Sequence, residues 1–224
     1  MEQLTFITGN KTYSSWSLRP WLALRKTGRP FREMVVPLYT PGYKDLLLKH
    51  SPAGKVPVLR HGERVIWDSL AICEYLAEQF PQAGLWPQDG NARAVARSIS
   101  AEMHSGFAAI RQAMPFNCRA VGRKPATSSA ELRAELDRVQ EIWRDARVRF
   151  GEGGPWLFGQ FCIADAMFAP VALRFVTYGQ QLDEDAQVYV NTVRTYSPVR
   201  EWIAAAEQEV EVIESSEVGQ VGAR

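Results

Sequence analysis

The chain has 224 residues, of which 46% are hydrophobic, and its 26 basic and 25 acidic residues leave a formal net charge of +1. That length suits one large or two small domains. The near balance of charge gives no electrostatic footprint for nucleic acid or for an anionic membrane surface, so neither partner is expected. No apolar run approaches the length of a membrane span, and the acidic, soon polar N-terminus does not fit a signal peptide.

The cysteine and histidine content limits the chemistry further. Cys73, Cys118 and Cys162 lie far apart and form no C-x-x-C motif, so we expect neither a disulfide framework nor a structural zinc site. The three histidines are too few for a histidine-rich metal site. The sequence therefore predicts no bound metal and a soluble protein of a reducing compartment, the cytoplasm.

In the first 80 residues, short β-prone runs alternate with segments of helical apolar spacing. We expect strands at residues 4–8, 34–36, 58–59 and 65–66. Helices are expected at residues 16–26, 43–49 and 68–80. The order β-α-β-α-β-β-α predicts a mixed sheet with helices on its faces.

Beyond residue 80 the pattern changes. Residues 81–87 are rich in proline and glycine and are interpreted as a linker. Helices are predicted at residues 92–114, 130–150, 163–176 and 199–210, and the third is apolar nearly all round, which indicates a central buried helix. Residues 214–224 are small and polar and are expected to fray. The predicted domains are thus 1–80 and 88–224.

Two neighbouring motifs could converge on one small polar ligand. The Val56-Pro57 bond enters a strand and is of the kind that can be cis. Asp68 and Ser69 place a carboxylate and a hydroxyl beside the first free N–H groups of a helix. A bound peptide could pair its backbone with Val56 while its charged end meets Asp68 and Ser69. An ordinary hairpin followed by an N-capped helix is the alternative.

Four motifs, in this order, resemble the glutathione S-transferase superfamily over nearly the whole chain. They are Tyr13-Ser14-Ser15-Trp16-Ser17-Leu18-Arg19-Pro20, Gly54-Lys55-Val56-Pro57-Val58-Leu59, Asp68-Ser69-Leu70-Ala71-Ile72 and Gly159-Gln160-Phe161-Cys162-Ile163-Ala164-Asp165-Ala166. The resemblance implies a thioredoxin-like α/β domain followed by an all-helical domain, glutathione as co-substrate and a homodimer. In the fourth motif Cys162 stands where the superfamily usually has Ser or Thr, but Asp165 can still reach back to the Cys162 N–H.

By this resemblance the chemistry is the ionisation of the glutathione thiol, whose free pKa is about 8.5. A helix N-terminus and a hydroxyl donor together supply enough preference for the anion to lower that pKa by about two units. Ser14 and Ser15 lie just before the first predicted helix. Aligning on Arg19 favours Ser14 against cysteine-bearing patterns and Ser15 against the theta pattern. Ser14 is our first choice and Ser15 the second, with Tyr13 or Ser17 as further alternatives. Helix capping alone is the other interpretation.

The resemblance also implies roles in binding glutathione. Asp68 would lie near the γ-glutamyl ammonium, and Ser69 would bind the γ-glutamyl carboxylate. Val56 would exchange backbone hydrogen bonds with the cysteinyl part, beside a cis Pro57. Lys55 could meet the glycine carboxylate, although a solvated lysine fits equally well.

The second substrate is less defined. Tyr13 and Trp16 flank the serines, and the long predicted helix carries Met103, His104, Phe107 and Arg111. Of these, Met103, Phe107 and Arg111 recur at helical spacing and could share one face. Such a stripe is also typical of core or dimer contacts. His104 is interpreted as a helix histidine rather than a base, and Arg111 as a weak candidate for an acidic substrate.

The leading functional hypothesis is a transferase that conjugates glutathione to a hydrophobic electrophile. A zeta-like glutathione-dependent isomerase of the maleylacetoacetate type is the first alternative, although no cysteine lies among the serines as in that class. The second alternative is a non-catalytic module that binds glutathione or another protein.

Overall fold

A computed structural model describes residues 3–219, and its first part is a small sheet with helices. The strands are β1 (Leu4–Thr8), β2 (Arg32–Val35), β3 (Val58–His61) and β4 (Arg64–Ile66). The helices between and after them are α1 (Ser15–Lys26), α2 (Tyr43–Leu48) and α3 (Ser69–Gln79).

The sheet has the strand order β2-β1-β3-β4. β1 is parallel to β2, because α1 returns the chain between them, and antiparallel to β3. β3 and β4 form the predicted hairpin, whose turn contains Gly62 at a φ of 61°. The first half therefore has the predicted thioredoxin-like arrangement.

The second half is helical. Its helices are α4 (Gly90–Ser105), α5 (Ala108–Ala113), α6 (Ala130–Phe150), α7 (Ile163–Thr177), α8 (Glu184–Thr195) and α9 (Ser197–Ala206). As its composition predicts, α7 is buried along almost its whole length. α1 packs against α3 on one side and against α7 and α9 on the other, so one hydrophobic core joins the two halves. The predicted fold class, α/β followed by all-α, is confirmed.

The prediction of one helix over residues 92–114 is wrong. α4 stops before Gly106, where a Cβ would lie 2.9 Å from the carbonyl oxygen of Glu102. Phe107 follows in the left-handed region, at a φ of 59°, with its side chain in the core. Met103 and Arg111 consequently lie on different helices, and the stripe that their spacing predicts does not form.

Two further differences concern the C-terminal third. The sequence patterns predict no helix over residues 184–195. In the structure these residues form α8 and bury four side chains at helical spacing: Ala186, Tyr189, Val190 and Val193. The expected fraying of residues 214–224 is wrong as far as residue 219, because Glu217 accepts hydrogen bonds from Tyr13, Asn117 and Arg123. Residues 220–224 lie outside the described part.

Candidate functional site

The β1–α1 loop leads into a buried N-terminus of α1. Ser14 is the N-cap, and its Oγ accepts a 3.4 Å hydrogen bond from the Ser17 N–H. The Ser14 and Ser17 hydroxyl oxygens are hydrogen-bonded at 2.7 Å. The Ser15 Oγ accepts from Nη2 of Arg174 at 3.4 Å. Both predicted catalytic serines thus lie at a helix N-terminus, where the peptide dipoles favour an anion.

Side chains near the C-terminus, between residues 202 and 209, hydrogen-bond to the β1–α1 loop. The carboxylate of Glu209 accepts from the backbone N–H groups of Lys11 and Thr12, the latter at 2.9 Å. The indole of Trp202 donates to the carbonyl oxygen of Lys11 at 2.9 Å. The backbone that precedes Ser14 is therefore held by two side chains from residues 202–209.

The N-terminus of α3 is a second place with available polar groups. Asp68 is its N-cap, and one carboxylate oxygen accepts from the N–H groups of Leu70 and Ala71 at 3.1 and 3.3 Å. The Ser69 hydroxyl is buried and has no hydrogen-bond partner among the described residues. As predicted, a carboxylate and a hydroxyl stand side by side at this helix end.

The loop before β3 presents its backbone. The Val56–Pro57 bond is cis, as the sequence suggests. Val56 packs beside Gly9, at the end of β1, and its N–H and C=O form no hydrogen bond with any residue between 3 and 219. Lys55 is exposed and makes no ion pair within that same range.

Trp16 and His104 connect the two helix ends. The indole of Trp16 is 37% exposed and meets the His104 ring edge to face, with ring centroids 5.3 Å apart. Nε2 of His104 lies 2.9 Å from the second carboxylate oxygen of Asp68. Burial lowers the pKa of His104, and the Asp68 carboxylate opposes that shift. Ser15, Trp16, His104 and Asp68 are therefore neighbours at the place where the N-termini of α1 and α3 meet α4.

Two arginine side chains contact the Trp16 ring. The guanidinium carbons of Arg19 and Arg111 lie 4.3 and 4.6 Å from the centroid of the Trp16 ring. Arg111 also donates to the carbonyl oxygens of Met103 and Gly106 and so closes the end of α4. Burial, with repulsion from Arg111 and Arg174, holds the pKa of Arg19 well below its ordinary value.

The sequence prediction included Arg111 but missed Arg19 and Arg174 as site residues. For Arg174 a signal was available, because it is the one basic residue within the apolar helix α7. A charged side chain is rarely buried unless it is paired or hydrogen-bonded, so its position in a buried helix points to partners or a ligand.

Tyr13 and Phe107, which were predicted to contact the second substrate, make contacts inside the protein. The Tyr13 hydroxyl donates to Glu217 at 2.6 Å and accepts from Arg119 at 3.2 Å, and burial raises its pKa. Phe107 is 6% exposed and belongs to the core. Of the six side chains considered for the second substrate, the structure brings together Trp16, His104 and Arg111, whereas Met103 is buried in the core.

No described helix is long and apolar enough to cross a membrane. Between residues 3 and 219, no three or more His, Cys, Asp or Glu side chains are grouped so that they could hold a metal ion.

Comparison with known proteins gives matches on both sides of the predicted linker. Residues 13–79 match the model of the glutathione S-transferase N-terminal domain, and residues 89–208 match that of the C-terminal domain. The chain is 45% identical over 87 residues to "Glutathione S-transferase 1" of Dianthus caryophyllus, covering 37% of this chain and 38% of that protein. It is 40% identical over 93 residues to "Probable maleylacetoacetate isomerase" of Caenorhabditis elegans, covering 42% of each.

A solved structure extends the similarity over the whole fold. The glutathione transferase homolog from Burkholderia, with bound glutathione, superimposes with a TM-score of 0.70 at 22% identity, covering 92% of this chain and 98% of that one. The sequence matches to the two curated relatives span only about two fifths of those proteins' length. The two domain models together cover most of the chain, which therefore belongs to the glutathione S-transferase family.

Proposed function

We propose that the chain is a glutathione transferase that binds glutathione where the N-termini of α1 and α3 come together and ionises its thiol for attack on an electrophile. The observation that carries the proposal is the meeting of two helix N-termini, through the contacts of Trp16 with His104 and of His104 with Asp68. One helix end offers hydroxyls to a thiolate, and the other offers groups to a charged amino acid.

Each part of glutathione has a complementary group in this proposal. The unpaired backbone of Val56, beside cis Pro57, pairs with the cysteinyl unit. The Ser69 hydroxyl and the first amides of α3 bind the γ-glutamyl carboxylate, and Asp68 binds the ammonium. Lys55, which is exposed, meets the glycine carboxylate.

The thiolate is stabilised by Ser14 as first choice and by Ser15 as the alternative. The Ser14 hydroxyl donates to the Ser17 hydroxyl in the structure, and rotating it about its C–O bond turns this proton toward the sulfur. Ser15 already accepts from Arg174, which leaves its own proton to donate. In both cases a charge-assisted hydrogen bond adds to the field of the α1 N-terminus.

Ultraviolet titration of the thiolate of bound glutathione tests these roles. In Ser14→Ala the pKa of the bound thiol should rise by about one to two units, the worth of one hydrogen bond to a charged group. Ser15→Ala tests the alternative, and Ser98→Ala, on the exposed face of α4, is the control. Equal pKa values in all four proteins would remove both serines from the mechanism.

A zeta-like isomerase is the second candidate, since one of the two curated relatives carries the name of a maleylacetoacetate isomerase. Turnover of a cis-unsaturated keto diacid without turnover of a chlorinated aromatic would favour it. The homodimer and the cytoplasmic location expected from the sequence belong to the same proposal. Sedimentation of the purified protein tests the dimer.

A further inference from the structure

Three arginines, Arg19, Arg111 and Arg174, carry buried positive charge at the start of α1. All three nitrogens of the Arg19 guanidinium, and Nη1 of Arg111, are buried without any hydrogen-bond partner in the described structure. None of the three side chains forms an ion pair with a carboxylate between residues 3 and 219. A buried charge without a partner is strongly unfavourable, so a group that supplies the missing partner would bind well.

The neighbouring acidic groups do not supply it. The carboxylate of Glu135 accepts from the first N–H groups of α5, at 3.2 and 2.8 Å. Asp68 caps α3 and pairs with His104. Cys73, the other acidic group near Arg19, keeps its proton because burial raises its pKa. The arginine cluster therefore keeps an excess of positive charge.

The cluster adjoins the proposed position of the sulfur. Arg174 donates to the Ser15 hydroxyl, and the other two guanidinium groups contact the ring of the next residue, Trp16. Trp16 is 37% exposed and covers Arg19, which is fully buried, so a ligand reaches Arg19 only when the Trp16 side chain turns to another rotamer. A planar guanidinium matches the two oxygens of a carboxylate.

We propose that Arg19, Arg111 and Arg174 bind a carboxylate of the second substrate beside the glutathione sulfur, so that the preferred electrophiles are carboxylic acids. This inference rests on the proposed function and narrows its substrate class. The two carboxylates of glutathione are the other source of this chemistry. In the proposed function they lie at Ser69 and Lys55, and the experiment separates the two sources.

Binding is measured first, because it needs no turnover. Titration calorimetry compares 4-methylbenzoate with 4-methylbenzamide, two unreactive molecules of nearly equal shape that differ in charge, with and without glutathione. The wild type should bind the carboxylate about tenfold more tightly, the discrimination of one charge-assisted hydrogen bond. Equal affinity for the two compounds would overturn the proposal, and this comparison requires no variant.

Variants then locate the carboxylate. Arg174→Gln and Arg111→Gln should abolish the preference for the carboxylate. The affinity for glutathione should stay unchanged in Arg111→Gln, whereas Arg174 also donates to Ser15 beside the sulfur. Arg97→Gln, an exposed residue of α4, is the control and should keep it. Because Arg111 also closes α4, denaturant unfolding of each variant checks that it folds. A loss of glutathione affinity in Arg174→Gln, with the preference retained, would assign the cluster to glutathione and overturn the proposal.

Measuring turnover of a charged and an uncharged electrophile tests this inference separately from the proposed function. With glutathione, 4-(chloromethyl)benzoate should have a kcat/KM about tenfold above that of 4-(chloromethyl)benzamide. If neither compound yields a thioether while the calorimetric preference persists, the transferase proposal fails and the carboxylate site stands. If both react equally, the carboxylate proposal fails and the transferase stands.

Discussion

Asp165 and Arg19 are both fully buried charged residues, but they differ in whether the surrounding protein supplies hydrogen-bond partners. The carboxylate of Asp165 accepts from the N–H groups of Leu157 and Cys162 and from the Tyr189 hydroxyl, at 3.1, 2.9 and 3.0 Å. The guanidinium of Arg19 has no hydrogen-bond partner in the described chain. A satisfied buried charge fixes a fold, whereas an unsatisfied one marks a place where a ligand can bind.

The largest expected effect comes from breaking the satisfied network. Asp165→Ala leaves two N–H groups and a hydroxyl buried without an acceptor, so the free energy of unfolding should fall by about 3–5 kcal/mol. Urea unfolding measures it. Asp185→Ala, on the exposed side of α8, should change the same quantity by less than about 0.5 kcal/mol. A loss no larger than that of the control would refute the structural role of Asp165.

The opposite sign is expected at Arg19. Arg19→Met replaces an unpaired buried charge with an apolar side chain of similar length, so the free energy of unfolding should rise by about 1–2 kcal/mol. Arg133→Met, at an exposed position of α6, is the matched control. If Arg19→Met destabilised the protein instead, Arg19 would belong to the same class as Asp165. The unpaired guanidinium would then not mark a place for a ligand.

The two charges can also be compared through pH. Burial raises the pKa of Asp165 from 3.8 to about 6, while its hydrogen bonds oppose the shift. The folded state then binds the proton more tightly than the unfolded state does. The contribution of this group to stability is therefore greatest below a pH of about 4 and declines as the pH rises to about 6. Unfolding of wild type and Asp165→Asn across this range should show a slope difference, and parallel curves would contradict it.

Much of the fold follows from local patterns. The predicted helix over residues 130–150 coincides with α6, because its apolar positions repeat with helical spacing and a serine caps it. The break between α4 and α5 could not be found in this way, since a single glycine is tolerated inside a helix. The chain turns at Gly106 and at Phe107, which has a φ of 59° and a side chain buried in the core, and such burial is a tertiary effect.

The candidate site, like the fold, has a part that local sequence patterns predict and a part that depends on tertiary contacts. Ser14, Ser15, Asp68 and Ser69 are recognisable because capping residues stand directly before a helical segment. The arginine cluster joins positions 19, 111 and 174, which come together only when α1 packs between the halves. Local spacing carries no information about such contacts. The sequence pointed to Arg111 as a candidate for an acidic substrate and to Arg174 as the one basic residue within the apolar helix α7.

The smallest expected effect concerns the capping position at the start of α7. Asp165 accepts from the Cys162 N–H, as the motif predicts, while a thiol fills the position that a hydroxyl usually takes. Cys162→Ser should raise the free energy of unfolding by about 0.5–1 kcal/mol, because a hydroxyl oxygen accepts from backbone amides better than sulfur does. Urea unfolding measures the change, and Cys118→Ser, outside any helix, is the control. A destabilised Cys162→Ser would mean that the buried sulfur contributes more through packing than a hydroxyl does through capping.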